Sequence, residues 1–432
     1  MKRFLVVRIV SIIAFILAVP VAILGIQVFH DPGSKEVGTP VANAADQILR
    51  GGYLARAGDC MACHTTRGGA AYAGGRTIPT PFGAMYSPNI TPDTATGIGS
   101  WSADDFWRAI HNGKSKDGSF LYPTFPYPNY TKVTRTDADA MYAYFRSLTP
   151  VKQENRPHAL RFPYNQRVLL AGWRTLYFQP GVYQPVAGQS VEWNRGAYLV
   201  QGLGHCSACH TSRNALGATR SDTDLGGGLI PMINWYAPSL TSDAEAGLGN
   251  WELQHINDLL KTGISQRSAV FGPMAEVVRE SLQHVSSPDI NAMSVYLKAL
   301  PQTGAARASE SVYTTGQDSD AARKIGAALY DKHCVECHRA QGEGMPPNYP
   351  PLAGNRALTT ASAINPIRMV LNGGYPPSTG GNPRPYGMPP FGPRLSDIEV
   401  AAVVSYIRSS WGNAAESVSP IEVGRYRTVP ID

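Results

Sequence analysis

The stretch Cys206-Ser207-Ala208-Cys209-His210 decides the fold of this chain. Two thiols lie two residues apart and a histidine directly follows the second, which is the attachment pattern of haem c. Each thiol bonds to the porphyrin, and the histidine supplies an axial nitrogen to the iron. The pattern recurs at residues 60–64 and 334–338, and its three copies use all six cysteines. The sequence therefore predicts three covalent haem c groups, held by Cys60, Cys63, Cys206, Cys209, Cys334 and Cys337, with His64, His210 and His338 as iron ligands.

Two other chemistries use pairs of cysteines at this spacing. Structural zinc takes four nitrogen or sulfur ligands from paired clusters. A thioredoxin-type redox pair lies in a βαβ pattern. Neither predicts a histidine directly after the second cysteine three times in one chain, so we favour haem attachment over both.

Composition indicates several loop-rich domains. The chain has 432 residues, of which only 16% are charged, with 43 glycines and 34 prolines. The net charge of +6 is modest, and no long basic run is interleaved with aromatic residues. This argues against a nucleic-acid partner. No cysteine remains for a disulfide bond.

The amino-terminal segment predicts export. Lys2, Arg3 and Arg8 precede an uncharged run over residues 9–29. As a helix this run would span about 32 Å, close to the thickness of a membrane's hydrocarbon core. Basic residues before the run place the rest of the chain outside the cytoplasm, where haem is attached. We expect residues 1–30 to be a transmembrane anchor; a cleaved signal ending near residues 42–44 is the alternative.

The sequence around the three motifs is periodic, which indicates a tandem repeat. A helical stretch with an early glycine precedes each motif, and an amphipathic helix follows at 138–148, 289–300 and 397–410. Small class I cytochrome c domains, which these units resemble, pair their first and last helices. We therefore predict a mainly α fold of three tandem class I cytochrome c domains after the transmembrane helix. The predicted boundaries are domains 46–150, 193–300 and 321–413, linkers 151–192 and 301–320, and a tail 414–432.

A proline also recurs in phase after each motif. In class I cytochromes the carbonyl of such a proline accepts a hydrogen bond from the proximal imidazole and fixes its orientation. The resemblance assigns this role to Pro88, Pro238 and Pro350.

The sixth iron ligand is predicted for two of the three haems. Methionine on a loop before the closing helix raises the reduction potential and suits electron transfer. Met274 and Met388 stand in Gly/Pro-rich loops at similar distances before their closing helices. The first unit has Phe125 in the corresponding stretch. Its sixth ligand stays open between bis-histidine ligation, an unexpected methionine and a vacant site, and the local candidates are Met85, Met141 and His111.

A resemblance over about residues 46–413 is carried by six stretches, at residues 53–60, 86–93, 121–123, 193–199, 365–368 and 388–391. In these stretches the chain resembles the triple-haem cytochrome c subunits of membrane-bound bacterial dehydrogenases. That family includes the cytochrome subunits of quinohaemoprotein alcohol dehydrogenase and of gluconate and sorbitol dehydrogenases. Many members have methionine at the position of Phe125, so the ligation of the first haem is not carried over.

The resemblance implies an electron-transfer subunit at the periplasmic face of the inner membrane. It would pass electrons from a catalytic subunit, haem to haem, to ubiquinone or a terminal oxidase of the respiratory chain. The catalytic partner would be a quinoprotein, flavoprotein or molybdoprotein that oxidises an alcohol, sugar acid or aldehyde. We predict no catalytic residue in this chain, which carries no dinucleotide or phosphate-loop pattern. The alternatives are a haem peroxidase with an open first haem and a free-standing, membrane-tethered electron shuttle.

Overall fold

A computed structural model describes Gly25 and residues 43–243, 247–302 and 318–429 of the chain. These residues form a mainly helical protein with two small antiparallel sheets. The helices are α1 Ala44–Ala57, α2 Cys60–His64, α3 Ala103–Asn112, α4 Tyr127–Tyr130, α5 Arg135–Ser147, α6 Leu170–Tyr177, α7 Val191–Tyr198, α8 Ser207–His210, α9 Leu253–Thr262, α10 Pro273–Glu280, α11 Ser287–Lys298, α12 Asp318–His333, α13 Val335–His338, α14 Arg356–Thr359, α15 Ile364–Asn372, α16 Asp397–Arg408 and α17 Pro420–Arg427. Short 3₁₀ turns lie at Arg167–Leu169, Ser221–Thr223 and Leu282–His284, and a π-helical turn, Leu199–Leu203, extends α7.

The predicted transmembrane helix has to be corrected. Among the described residues, no helix is both long and apolar enough to cross a membrane. The run over residues 9–29, on which that prediction rested, lies outside the described residues except for Gly25. The described residues form a mainly helical fold. Most of the predicted linker 301–320 also lies outside the described part of the chain.

Each of the three units packs its first helix against its last helix, in the pairs α1–α5, α7–α11 and α12–α16. A glycine on the first helix permits this close approach. A Cβ atom at Gly51 would lie 1.9 Å from the carbonyl oxygen of Ala140. At the equivalent position, Gly196, a Cβ atom would lie 1.9 Å from the carbonyl oxygen of Ala292. In the third unit Gly326 takes the same place, so the early glycines in the sequence mark the three helix crossings.

Side chains fix where the closing helices begin. Thr134, Ser286 and Ser396 are the N-cap residues of α5, α11 and α16, and each side chain accepts a backbone N–H of the first turn. This satisfies a donor that a helix start otherwise leaves without a partner. At Ser396 the cap is reciprocal, because the Glu399 carboxylate accepts the Ser396 N–H. These caps begin α5 and α11 slightly before the predicted residues.

Two short hairpins lead towards the prolines of the first two units. In the first unit β1, Thr77–Thr80, pairs with β2, Gly83–Tyr86, in antiparallel register from Thr77 opposite Tyr86 to Thr80 opposite Gly83. The predicted linker 151–192 supplies β3, Ala159–Leu160, as a third strand beside β2. In the second unit β4, Gly228–Ile230, pairs with β5, Trp235–Ala237. The segment after the first unit is therefore part of that unit's structure.

The first and second units share one continuous hydrophobic core, whereas the third unit has a core of its own. At the border between the first two units, Asp137 at the start of α5 accepts hydrogen bonds from both. Arg50 of its own unit donates through Nε at 2.8 Å. Tyr198 of the second unit donates its hydroxyl to Oδ2 at 2.6 Å. The same tyrosine oxygen accepts the backbone N–H of Thr134 at 3.3 Å.

The second unit repeats these contacts in the opposite direction. Asp289 at the start of α11 accepts Nε of Arg195, its own unit's arginine, at 2.8 Å. Tyr53 of the first unit donates its hydroxyl to Asp289 at 2.5 Å. The backbone N–H of Ser286 donates to the Tyr53 oxygen at 3.2 Å. We call this pair of exchanged contacts the reciprocal interface; its residues are Arg50, Tyr53, Asp137, Arg195, Tyr198 and Asp289.

The reciprocal interface is expected to weaken in acid. Burial raises the pKa of Asp289, but the hydrogen bonds from Arg195 and Tyr53 outweigh burial and hold the pKa below its usual value. Because the pKa of Asp289 is lower in the folded state than in the unfolded state, its ionised carboxylate stabilises the fold at pH values above the unfolded-state pKa of about 3.9. This stabilisation is lost as the pH falls through the folded-state pKa. Urea unfolding between pH 6 and pH 3 should therefore show less acid destabilisation in D289N than in wild type. D46N, at the exposed start of α1, is the control, and equal acid sensitivity in D289N and wild type would contradict the prediction.

The third unit contacts the second through different residues. The side chain of Asn365 bridges the backbone of Tyr236, accepting its N–H at 2.9 Å and donating to its oxygen at 2.7 Å. Thr379 donates its hydroxyl to the carbonyl of Thr262 at 3.0 Å. At the position of Tyr53 and Tyr198, the third unit has Ala328, which lacks the hydroxyl that the reciprocal interface requires.

Candidate haem-binding sites

Each Cys-x-x-Cys-His motif folds into one short helical turn, α2, α8 or α13. A helical turn brings residues three and four apart onto one face, so the two thiols and the following imidazole lie together. Asp59 and His205, the residues before the first cysteine in units one and two, have positive φ angles of 51° and 37°. A non-glycine residue in this conformation is uncommon. It ends the preceding helix and turns the chain into the motif.

The three histidines face the three predicted prolines. The Nδ1 atom of His64 lies 2.8 Å from the Pro88 oxygen. The corresponding distance is 2.7 Å from His210 to Pro238 and 3.0 Å from His338 to Pro350. A carbonyl can only accept, so each Nδ1 carries the proton and each Nε2 has a free lone pair for iron.

Burial keeps these imidazoles in the form that binds metal. It lowers the pKa of His64 and His338 and lowers that of His210 to about 4, although the proline carbonyls act in the opposite direction. A histidine must be neutral to ligate a metal. At neutral pH all three side chains meet that requirement.

The cysteines do not have the properties of a redox pair. A catalytic Cys-x-x-Cys lowers a thiol pKa to about 3.5–7.5. Here burial raises the pKa of Cys60 and Cys206 to about 12 and that of Cys334 to about 11. None of the six cysteines is in a disulfide bond. In the described part of the chain, no three His, Cys, Asp or Glu side chains cluster as a zinc site would require. Free thiol pairs beside an oriented imidazole fit haem c best.

The two predicted methionine ligands lie on constrained backbone. Met274 is in the first turn of α10, after Gly272, whose φ is 56° and where a Cβ atom would lie 2.6 Å from the Trp235 ring. Met388 exchanges backbone hydrogen bonds with Gly374, at 2.8 and 3.0 Å. Both side chains are partly buried against the cores of their units. Their role as sixth ligands remains a prediction.

Replacing Met274 by leucine tests its ligation directly. Loss of the thioether would lower the reduction potential of the second haem, because methionine ligation raises it. The reduced M274L protein should also bind CO at that haem. M293L makes the same change at a buried position in α11 and is the control. A CO-silent M274L protein with unchanged potentials would show that Met274 is not the ligand.

In the first unit, Phe125 fills part of the core instead of offering a ligand. Its ring packs against Tyr130 at a centroid distance of 5.3 Å. The adjacent Thr124 donates its hydroxyl to the sulfur of Met85 at 2.9 Å, and Met85 is buried. The structure therefore brings Met85 from β2 to the loop that carries Phe125, a contact that sequence spacing does not indicate.

The other two candidates in the first unit are engaged elsewhere. The imidazole of His111 stacks on Trp107 at 4.4 Å, and its Nδ1 lies 3.0 Å from the carbonyl oxygen of Thr131. Met141 is buried inside α5. These surroundings are those of core residues.

Arginines next to the motifs were not predicted from the sequence. Arg76 donates to the carbonyl of Ala62 and forms an ion pair with Glu276 of the second unit, with Nη2 2.8 Å from Oε2. Arg213 donates to the carbonyl of Ala208, the equivalent motif residue, at 2.5 Å. Arg76 and Arg213 follow their motifs at different distances along the sequence. No repeat therefore indicates that both donate to the equivalent motif carbonyl.

Comparison with known proteins agrees with this geometry. The cytochrome c family matches residues 48–149 and 324–411. The cytochrome c subunit of gluconate 2-dehydrogenase from Pantoea cypripedii is 42% identical over 390 residues, which cover 86% of this chain and 87% of that protein. The chain belongs to the family of dehydrogenase cytochrome c subunits.

Two further relatives show the range of complexes in which such chains occur. The cytochrome c subunit of alcohol dehydrogenase (quinone) from Gluconobacter oxydans is 39% identical over 413 residues, covering 90% of this chain and 84% of that protein. A nicotinate dehydrogenase subunit from Pseudomonas putida is 41% identical over 375 residues, covering 84% of this chain and 30% of that protein. This cytochrome c subunit is thus an electron-transfer component of a dehydrogenase complex, and it carries covalently bound haem c.

Proposed function

We propose that this subunit relays electrons through three covalent haems, from a catalytic dehydrogenase chain to ubiquinone or the respiratory chain. The observation that carries the proposal is the threefold occurrence of one arrangement: a thiol pair, a following imidazole, and a proline carbonyl 2.7 to 3.0 Å from Nδ1. Haem supplies an iron that changes oxidation state by one electron. The cysteines and histidines of the three motifs would hold it in all three units.

The protein's own contribution is to hold each site rigidly. The proline carbonyls fix the imidazole rings, and the glycine-mediated helix crossings fix the units around them. The reciprocal interface then holds the first two sites at one constant separation. Electron tunnelling requires this kind of rigid, close arrangement, and no substrate chemistry is required of the chain.

We further propose that the subunit lies at the periplasmic face of the inner membrane, associated with it through the dehydrogenase complex. Covalent haem attachment outside the cytoplasm and the quinone named for one relative support this location. The partner would be a quinoprotein, flavoprotein or molybdoprotein that oxidises an alcohol, sugar acid or aldehyde. The relatives are named for different substrates, although their cytochrome sequences are similar. This supports one kind of electron-transfer subunit that works with different catalytic chains.

Purification of the subunit from its native membrane tests the proposal. We expect a larger catalytic chain to co-elute in a constant ratio and the complex to reduce a ubiquinone analogue with that chain's substrate. Intact mass should show three added haems. Solitary elution would instead support a free-standing electron shuttle, and fewer haems would overturn the three-site relay.

The peroxidase alternative concerns the first unit, where Phe125 occupies the loop expected to carry a methionine. An open haem binds CO when reduced and is high-spin when oxidised. A low-spin, CO-silent protein without peroxidase activity would exclude this alternative. CO binding together with hydrogen peroxide turnover would support it over a pure relay.

A further inference from the structure

An arginine of the third unit is buried against the second unit's predicted haem site. Arg356, the first residue of α14, is only 8% exposed. Its Nη1 donates to the carbonyl oxygen of Ser239 at 3.2 Å. Its guanidinium lies over the ring of Trp251, 5.4 Å from the centroid. Both contacts are to the second unit, so the side chain crosses the border between the two units.

The charge of Arg356 lies close to His210, the predicted iron ligand of the second unit. Ser239 directly follows Pro238, whose oxygen lies 2.7 Å from Nδ1 of His210. Arg356 is therefore held one residue away from the group that orients the axial imidazole.

No carboxylate among the described residues forms an ion pair with Arg356. Burial lowers the pKa of Arg356 to about 10, and no acidic group offsets that effect. A buried cation without a counter-charge destabilises a fold, and an apolar residue of the same size is often tolerated better. A haem at the second site would bring carboxylates of its own, and a guanidinium matches carboxylates well.

We propose that Arg356 is a positioning residue for electron transfer, which sets the potential of the second haem from the third unit. A nearby positive charge favours the iron state of lower positive charge, which is the ferrous state. If the guanidinium neutralises a haem carboxylate, it again favours the ferrous state. The third unit thus raises the second haem's affinity for an electron as well as carrying its own haem. This inference rests on the proposed haem at His210.

Potentiometric titration of the purified three-haem protein tests the proposal. R356M removes the charge and keeps the apolar stem, and R356Q is a second neutral variant should R356M fail to assemble. For one of the three haems, we expect the ratio of oxidised to reduced haem at a fixed potential to rise by on the order of tenfold. This is equivalent to a reduction potential lower by about 59 mV. The component that shifts should be the one absent from C206A/C209A. R356K retains the charge and should keep most of the wild-type potential.

Further variants distinguish the effect of the Arg356 charge from a purely structural role of that side chain. R220Q removes a charge from the exposed surface of the second unit, where Arg220 pairs with Asp222, and should leave the potentials of all three haems unchanged. Equal shifts in R356K and the neutral variants would assign Arg356 a structural role only. An unchanged second component in a neutral variant with three haems would overturn the inference. Absence of a haem at Cys206 and Cys209 in the wild type would instead overturn the proposed function.

Discussion

Replacing Cys206 and Cys209 together by alanine is expected to remove one haem and to reduce electron transfer to quinone to the background rate. The two thiols are the predicted covalent attachment points in the second unit, and neither is in a disulfide bond. This unit contacts the first through the reciprocal interface and the third through Asn365 and Arg356. Loss of its haem would leave a gap between the other two sites, and tunnelling rates fall steeply with distance.

Intact mass and haem content measure the first part of this prediction, and quinone reduction by the complex measures the second. S207A alters the same helical turn but keeps both thiols, so it should retain three haems and activity. The matching variants C60A/C63A and C334A/C337A should each lose one haem as well. Three haems in C206A/C209A, or undiminished quinone reduction, would show that the second motif is not part of the relay.

Replacing Asp137 by alanine is expected to lower the free energy of unfolding by about 3 kcal/mol, because the Tyr198 hydroxyl would lose its acceptor inside the protein. The Asp137 side chain is only 3% exposed, whereas its ion-pair partner Arg50 is 51% exposed. Arg50 can therefore be hydrated in the variant, whereas the Tyr198 side chain is only 7% exposed. We expect the loss to come mainly from the contact between units.

Variants of the tyrosines separate the two halves of the reciprocal interface. Y198F and Y53F should each lower the unfolding free energy by about 1 kcal/mol, the net value of one hydrogen bond. Y142F is a matched control, since Tyr142 donates to the carbonyl of Trp101 within the first unit at 2.6 Å. Hydrogen exchange should increase across the border between units in Y198F and Y53F but not in Y142F. Wild-type stability in D137A would contradict this account.

The sequence predicts what depends on local spacing. The haem motifs, the glycines at the helix crossings and the three prolines recur in phase, because each unit needs them in the same place. The helix starts could be placed only to within a few residues, since the caps at Thr134 and Ser286 lie before the apolar pattern. The transmembrane helix was inferred from an uncharged run, and no helix of the described residues supports it.

Contacts between units could not be predicted in this way. Arg50 and Tyr53 look like ordinary surface residues of a helix, and their importance follows only from how two units are oriented. A signal was nevertheless present: the same Arg-x-x-Tyr spacing recurs at Arg195 and Tyr198 but not in the third unit. Arg356 has no such counterpart, since its role depends on the path of α14 over the second unit.

The reciprocal interface has a consequence for how such a chain can be built. The same patch is used on both partners, as in an isologous homodimer, and a contact of this kind is closed after two members. A third unit cannot join by repeating it and has to use a new surface, as the contacts of Asn365 and Thr379 show. Units one and two therefore form a symmetric pair, and the third is an asymmetric addition to one side of that pair.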